Sequence, residues 1–170
     1  MDNNDILVRI RYALDLKNVD LMKIFALGGE TVKKETLIEM MKRTRDLGLE
    51  EEDFKPEHHR LDYRQLEVFL NGLIIFKRGP QPPASNGKEY PKFIIASEFD
   101  VNNVLLKKLK IALKLKQEDM EAIFKKAGLT VTGTEITALL RAKGHKHYRE
   151  CGDNFARNFL LGMAKTYRKT

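Results

Sequence analysis

The residues best equipped for chemistry in this chain of 170 are His145-x-His147-x-x-x-Cys151. Two imidazoles and a thiol at short spacing are ligands that zinc sites use. A closed structural site takes four ligands, and Cys151 is the sole cysteine while His58-His59 stand far away in the chain. Glu150 and Asp153 read better as carboxylates at a helix start, where the macrodipole favours them. No metal is expected, and the histidines read as exposed members of a polar loop. Cys151 beside histidine is also a candidate nucleophile pair, because an imidazolium or a helix N-terminus lowers a thiol's pKa. No glycine-rich oxyanion loop, Ser-His-Asp order or paired acids on adjacent helices accompany it. Gly28-Gly29 and Gly144 match neither the Walker nor the dinucleotide pattern. The expectation is a non-enzymatic protein without catalytic residues or cofactor.

Basic residues form the stronger pattern. Lys107, Lys110 and Lys114 recur at i, i+3, i+7 opposite an apolar helix face, with Lys108 and Lys116 on the flanks. This spacing predicts a lysine stripe on one solvent face. A second cluster, Arg141, Lys143, Lys146 and Arg149 with Tyr148 interleaved, suits phosphate contacts and a stacked base. These eight residues are the candidate binding set, and nucleic acid or another polyanion is the candidate partner. The cluster follows a helix, a turn at Gly128 and another helix, the outline of a helix-turn-helix. That outline is common to helical bundles, and its residue pattern is a poor match to the DNA-binding form.

The whole-chain charge agrees with this placement. Net charge is +7, from 31 basic and 24 acidic side chains. Residues 1–78 hold 14 basic and 15 acidic groups, residues 79–101 hold 2 and 3, and residues 102–170 hold 15 and 6. The excess is C-terminal, a field suited to facing an anion. The first half is near neutral, and its Glu50-Glu51-Glu52-Asp53 run points to protein contact, so an adaptor using helical surfaces of both halves is the alternative. The longest apolar runs, Leu73–Phe76 and Phe93–Ala96, fall far short of the roughly 20 residues that cross a bilayer. The first residues show neither a basic n-region nor an apolar h-region, and one cysteine forms no internal disulfide. A reducing cytoplasm is the expected setting.

The elements that must position these residues come from an internal duplication. A shift of 99 places aligns residues 4–42 with 103–141 without a gap and gives twelve identities, among them Asn4/Asn103, Leu7/Leu106, Phe25/Phe124 and Gly29/Gly128. At a shift of 90, Phe69-Leu70-x-Gly72 falls on Phe159-Leu160-x-Gly162. Duplicated apolar positions should occupy the same environments. Ile6, Leu7, Ile10, Ala13 and Leu14 follow helical spacing, as do Leu105, Leu106, Leu109, Ala112 and Leu113. A second helix is expected over about Asp119–Lys126, ending at Gly128. A third opens with a capping box at Thr132-Gly133-Thr134-Glu135, and the last begins near Asp62 or Asp153. Gly72 and Gly162 inside that last helix predict close helix packing. Gly79–Gly87, rich in proline and glycine, reads as a linker, and Lys92–Ala96 is the one segment able to pair as a strand. Each copy alone is marginal for a core, so the two should pack on each other.

Several stretches resemble one family. These are Leu70-Asn71-Gly72-Leu73-Ile74 with Lys77-Arg78-Gly79, Asn102–Leu109, Glu135-Ile136-Thr137-Ala138, and above all Arg149-Glu150-Cys151-Gly152-Asp153-x-Phe155-x-Arg157-x-Phe159-Leu160. Together they resemble the YehS-like family of small bacterial proteins built from two copies of one helical domain. The resemblance covers nearly the whole chain; the linker and the segment from Glu50 to Leu61 depart most from it. It implies a bacterial origin and an α-helical fold, and it assigns no catalytic residues. The expected architecture is all-α: a first repeat over 1–78, a linker over 79–102 and a basic second repeat over 103–170.

Overall fold

The computed structural model describes residues 1–42, 60–80 and 91–168. In chain order its helices are α1 (Asn3–Leu14), α2 (Asn18–Gly28), α3 (Lys34–Met40), α4 (Tyr63–Arg78), α5 (Val101–Ala112), α6 (Gln117–Lys126), α7 (Gly133–Leu140) and α8 (Asp153–Tyr167). A 3-10 turn, Glu98–Asp100, leads into α5. The Glu50–Asp53 run, His58-His59 and residues 81–90 of the linker lie outside the described residues.

The duplication holds in three dimensions, since aligned apolar positions share one fate. Ile6, Leu7, Ile10, Ala13, Phe25 and Leu37 are buried, and so are Leu105, Leu106, Leu109, Ala112, Phe124 and Ile136. Phe25 meets Phe69 at 5.3 Å between ring centroids, and the aligned Phe124 meets Phe159 at 5.1 Å. Such tilted aromatic pairs are worth about 0.5–1.5 kcal/mol beyond the area they bury.

The recurrent glycines Gly72 and Gly162 sit at close helix crossings. A Cβ on Gly72 would lie 1.8 Å from the carbonyl oxygen of Ile24, and one on Gly162 would lie 1.9 Å from that of Ile123. No side chain fits against backbone at that range, so α4 crosses α2, and α8 crosses α6, only where the Cβ is missing.

Buried asparagines close each copy. The Asn4 amide donates to Met40 O at 3.0 Å and its oxygen accepts from Leu61 N at 2.8 Å. Asn103 repeats the device, donating to Leu139 O and Arg149 O and accepting from Cys151 N, each at 2.8 Å. Loop backbone groups that would otherwise be buried without partners are satisfied by one side chain per copy.

The copies pack by exchange. The first helix of each lies mainly against the last helix of the other, α1 on α8 and α5 on α4, rather than on the last helix of its own copy. α1 and α8 run parallel: Met1 N reaches Asp153 at one end (3.1 Å), and Arg168 donates to Tyr12 O at the other (2.9 Å). One apolar core therefore spans both copies. Neither 70-residue half has to bury enough surface alone.

Three local expectations are corrected. Lys92–Ala96 is not a strand, and the described residues contain none. With no second strand to pair with, its amides turn to a side chain, and Ile94 N and Ile95 N donate to the Glu67 carboxylate at 2.7 and 2.8 Å. At the start of α7 the Thr132 hydroxyl accepts from Glu135 N, but the Glu135 carboxylate accepts from that hydroxyl instead of reaching the cap backbone, leaving half a capping box. Lys114 does not extend α5. It follows the helix with φ 54°, in the same left-handed turn that Asp15 makes with φ 52° in the first copy.

Candidate functional site

Lys114 stands apart from the loop members of the basic set. The loop Arg141–Arg149 packs beside the start of α5: Lys143 Nζ lies 2.9 Å from Asp100, and the Asn103 amide donates to Arg149 O. From Asn103, α5 runs nine residues on to Ala112, roughly 14 Å at 1.5 Å per residue, before the turn that holds Lys114. Loop and Lys114 are thus separate features.

The stripe is the weaker of the two. Lys107 and Lys110 are half-buried, and only Lys114 is exposed. Burial pushes the Lys107 ammonium below its ordinary value. Lys108, expected on the flank, is a core residue: its ammonium is 2.7 Å from Glu67 and also donates to Asn71 Oδ1 and Lys92 O. The side chains of Lys108 and Glu67 are 5% and 2% exposed, so this ion pair lies inside the seam between the copies. The signal was present in the sequence. Val101, Leu105, Lys108 and Ala112 share one helical stripe, as do Tyr63, Glu67, Leu70 and Ile74, so each charge interrupts an apolar seam.

The loop is built rather than loose. His145 N donates to Ala142 O, Tyr148 N to His145 O and Arg149 N to Ala138 O, at 3.0, 3.0 and 3.1 Å. Gly144 takes φ 95°, which a side chain rarely adopts, to let the chain reverse. Lys143 is committed to Asp100, whose carboxylate also accepts from Ala96 N and Ser97 N. The hydrogen bond from Lys143, then those two amides, hold the Asp100 carboxyl below the usual carboxylate range against the opposing effect of burial, and Lys143 is raised in turn. Tyr148, expected as a stacking ring, is half-buried, and burial pushes its phenol up. Arg149 stands over the Phe155 ring at 5.4 Å. The exposed rings are His145 and His147, with centroids 5.9 Å apart. His147 N donates to His145 Nδ1 at 3.0 Å, and Arg141 Nη1 lies 3.2 Å from His145 Nε2.

Cys151 is buried at the start of α8, its thiol donating to Gly152 O at 3.6 Å. Burial first, then the Asp153 carboxylate, push that thiol up to about 12, so it stays protonated at neutral pH and is a poor nucleophile. A cleft of about 720 Å³ lies nearby, where α1, α4, α5 and α8 all begin. Three of its acids serve the fold: Asp2 accepts from Asp5 N, Asp62 from Gln65 N, and Asp153 from the Asn102 amide. Among the described residues no cluster of three or more His, Cys, Asp or Glu is placed to hold a metal, and no helix is long and apolar enough to cross a membrane.

Fold and site together define a tandem-duplicated all-α protein with an ordered basic loop on its second copy. The chain belongs to the family described as "Protein of unknown function (DUF1456)", whose model matches residues 3–79 and 102–169, one segment per copy. It is 39% identical over 165 residues to "Uncharacterized protein YehS" of Escherichia coli (strain K12), covering 96% of this chain and 95% of that protein. No solved structure matches it.

Proposed function

We propose that the protein is a non-enzymatic binding module whose second copy contacts a polyanion, nucleic acid foremost. The observation that carries this reading is the loop. Arg141, Lys146 and Arg149 stand on a backbone fixed at several points, and none of them pairs with a carboxylate among the described residues. Three cations of this copy are engaged instead: Lys108 with Glu67, Lys143 with Asp100, Arg168 with Asp15. Unpaired cations on a rigid support suit phosphate contacts that cost little ordering. We further infer a cytoplasmic setting, which the single free thiol supports.

The test is titration with single- and double-stranded DNA and RNA at two salt concentrations. Log affinity should fall with log salt by about 0.7–0.9 per phosphate contacted. Replacing Arg141, Lys146 and Arg149 by glutamine should weaken binding and flatten that slope, whereas replacing Lys107, Lys110 and Lys114 should do less. Wild-type protein that binds none of these at low salt overturns the reading.

One observation favours an adaptor as the second reading. On the first copy Val19, Leu27 and Ile38 are 69%, 37% and 44% exposed, where the second copy has Glu118, Lys126 and Thr137. Apolar side chains left open where the aligned places are polar suit a protein contact. This reading takes over if nucleic acid is not bound.

A further inference from the structure

The Arg141–Arg149 loop carries a feature that phosphate binding alone does not need. We propose that His145 and His147 form a base-stacking platform, so that the ligand of this loop is single-stranded nucleic acid. The inference rests on the polyanion reading and specifies its ligand.

Both rings are exposed, with centroids 5.9 Å apart and planes inclined at 43°. Their positions are set by the loop itself. His147 N donates to His145 Nδ1, and the carbonyl of His145 accepts from Tyr148 N. The ends of the loop are tied through Lys143 to Asp100 and through Arg149 to Ala138 and Asn103. The loop backbone under both rings and the His145 ring are therefore in place before a ligand arrives, which lowers the ordering that opposes binding. Arg141, Lys146 and Arg149 surround the rings in sequence, so a backbone phosphate beside a stacked base has a cation at hand.

Aromatic faces amid cations are what a single strand recognises, because each of its unpaired bases can be laid on a ring. A duplex keeps its bases stacked inside and offers the rings nothing. Duplex binding would use the cations alone, so the loop should prefer a single strand.

The experiment uses the full chain with fluorescently labelled 12-nucleotide single strands of RNA and of DNA, and the DNA duplex of the same sequence, at low salt. Each stacked base is worth about 1–3 kcal/mol, or roughly 5- to 150-fold in affinity. H145A/H147A should lose about that factor for single strands and leave duplex binding within about twofold. H145F/H147F, which keeps a ring at both places, should retain single-strand affinity. Circular dichroism checks that each variant is folded. Tighter binding of the RNA arm would name RNA as the source of the strand, and equal arms would name a strand of either sugar.

The stacking proposal falls, with the polyanion reading intact, if wild type binds duplex as tightly as single strands. It also falls if H145A/H147A weakens both alike or neither. Wild type that binds no nucleic acid at all overturns both.

Discussion

In the seam between α4 and α5, Lys108 and Glu67 lie buried 2.7 Å apart, with Asn71 beside them. In the equivalent seam between α8 and α1, the aligned places hold Arg9, Arg157 and Leu161. Arg9 turns to Asp5 on its own helix at 2.9 Å, and Arg157 is exposed. The two seams share helices and apolar contacts, yet only one is crossed by a buried ion pair. The reason is the linker. Its exit segment lies on α4 and brings two backbone amides, Ile94 N and Ile95 N, that need acceptors. Glu67 supplies both, and a carboxylate so deeply buried needs a cation close by, which Lys108 provides. Packing is thus kept in both seams, and a buried ion pair stands in the one where the chain's exit from the linker is tied down.

The sharpest way to break this contrast is Lys108→Met against Arg9→Met. The first leaves Glu67 charged and buried without its cation and should cost about 3–5 kcal/mol in denaturant unfolding. The second removes a half-exposed i,i+4 pair and should cost within about 1 kcal/mol. Adding Glu67→Gln to Lys108→Met should recover part of the loss. Equal losses at positions 9 and 108 would mean that the seams do not differ in the way their structures indicate.

Next in size is a pair that should behave alike. Gly72→Ala and Gly162→Ala each push a methyl group into a backbone carbonyl, and overpacking of this kind costs about 1–3 kcal/mol. The two melting-point drops should agree closely. A large difference would show that the two glycine crossings are not equivalent.

A smaller effect separates the two left-handed turns. Lysine adopts positive φ at a steric cost that glycine lacks, so Lys114→Gly should stabilise by up to about 1 kcal/mol. Asp15→Gly should gain less, because aspartate tolerates this region better and its 3.6 Å contact with Arg168 is lost.

The smallest effect belongs to Lys143 and Asp100, a link without a counterpart in the first copy, where Met1 takes the place aligned with Asp100. Asp100 lies below its ordinary value in the folded protein, so its contribution is present above about pH 4 and is lost on acidification. Lys143 lies above its ordinary value, so its contribution is present below about pH 10 and is lost as pH rises further. The stability gap between wild type and Lys143→Gln should be a plateau between those limits and vanish on either side. Because the Lys143 side chain is 63% exposed, that gap should be small and should shrink with salt.

Helical periodicity was legible because each buried stripe repeats in both copies. Phe25 and Phe124, or Leu7 and Leu106, could hardly keep register without a common fold. The glycine crossings were legible for the same reason. Lys108 was misread because opposite-face reasoning asks only where apolar residues fall, and a lysine in the apolar stripe was assigned to the flank. Tyr148 takes a half-buried place, because an aromatic among cations fits an anchor as well as an open surface. His145 and His147 were weighed as metal ligands, and what they present instead is a pair of exposed ring faces.

Sequence by itself determined the all-helical character, the two copies and the residues each copy buries, because these depend on spacing within a helix and on repetition along the chain. Tertiary structure alone decided that α1 lies on α8 and α5 on α4, that Lys108 and Glu67 meet, and that the loop cations stand apart from Lys114. Those outcomes join residues 41 to 156 positions apart. Pairings at such range are fixed by which surfaces the whole chain can bury together, and no local pattern records them.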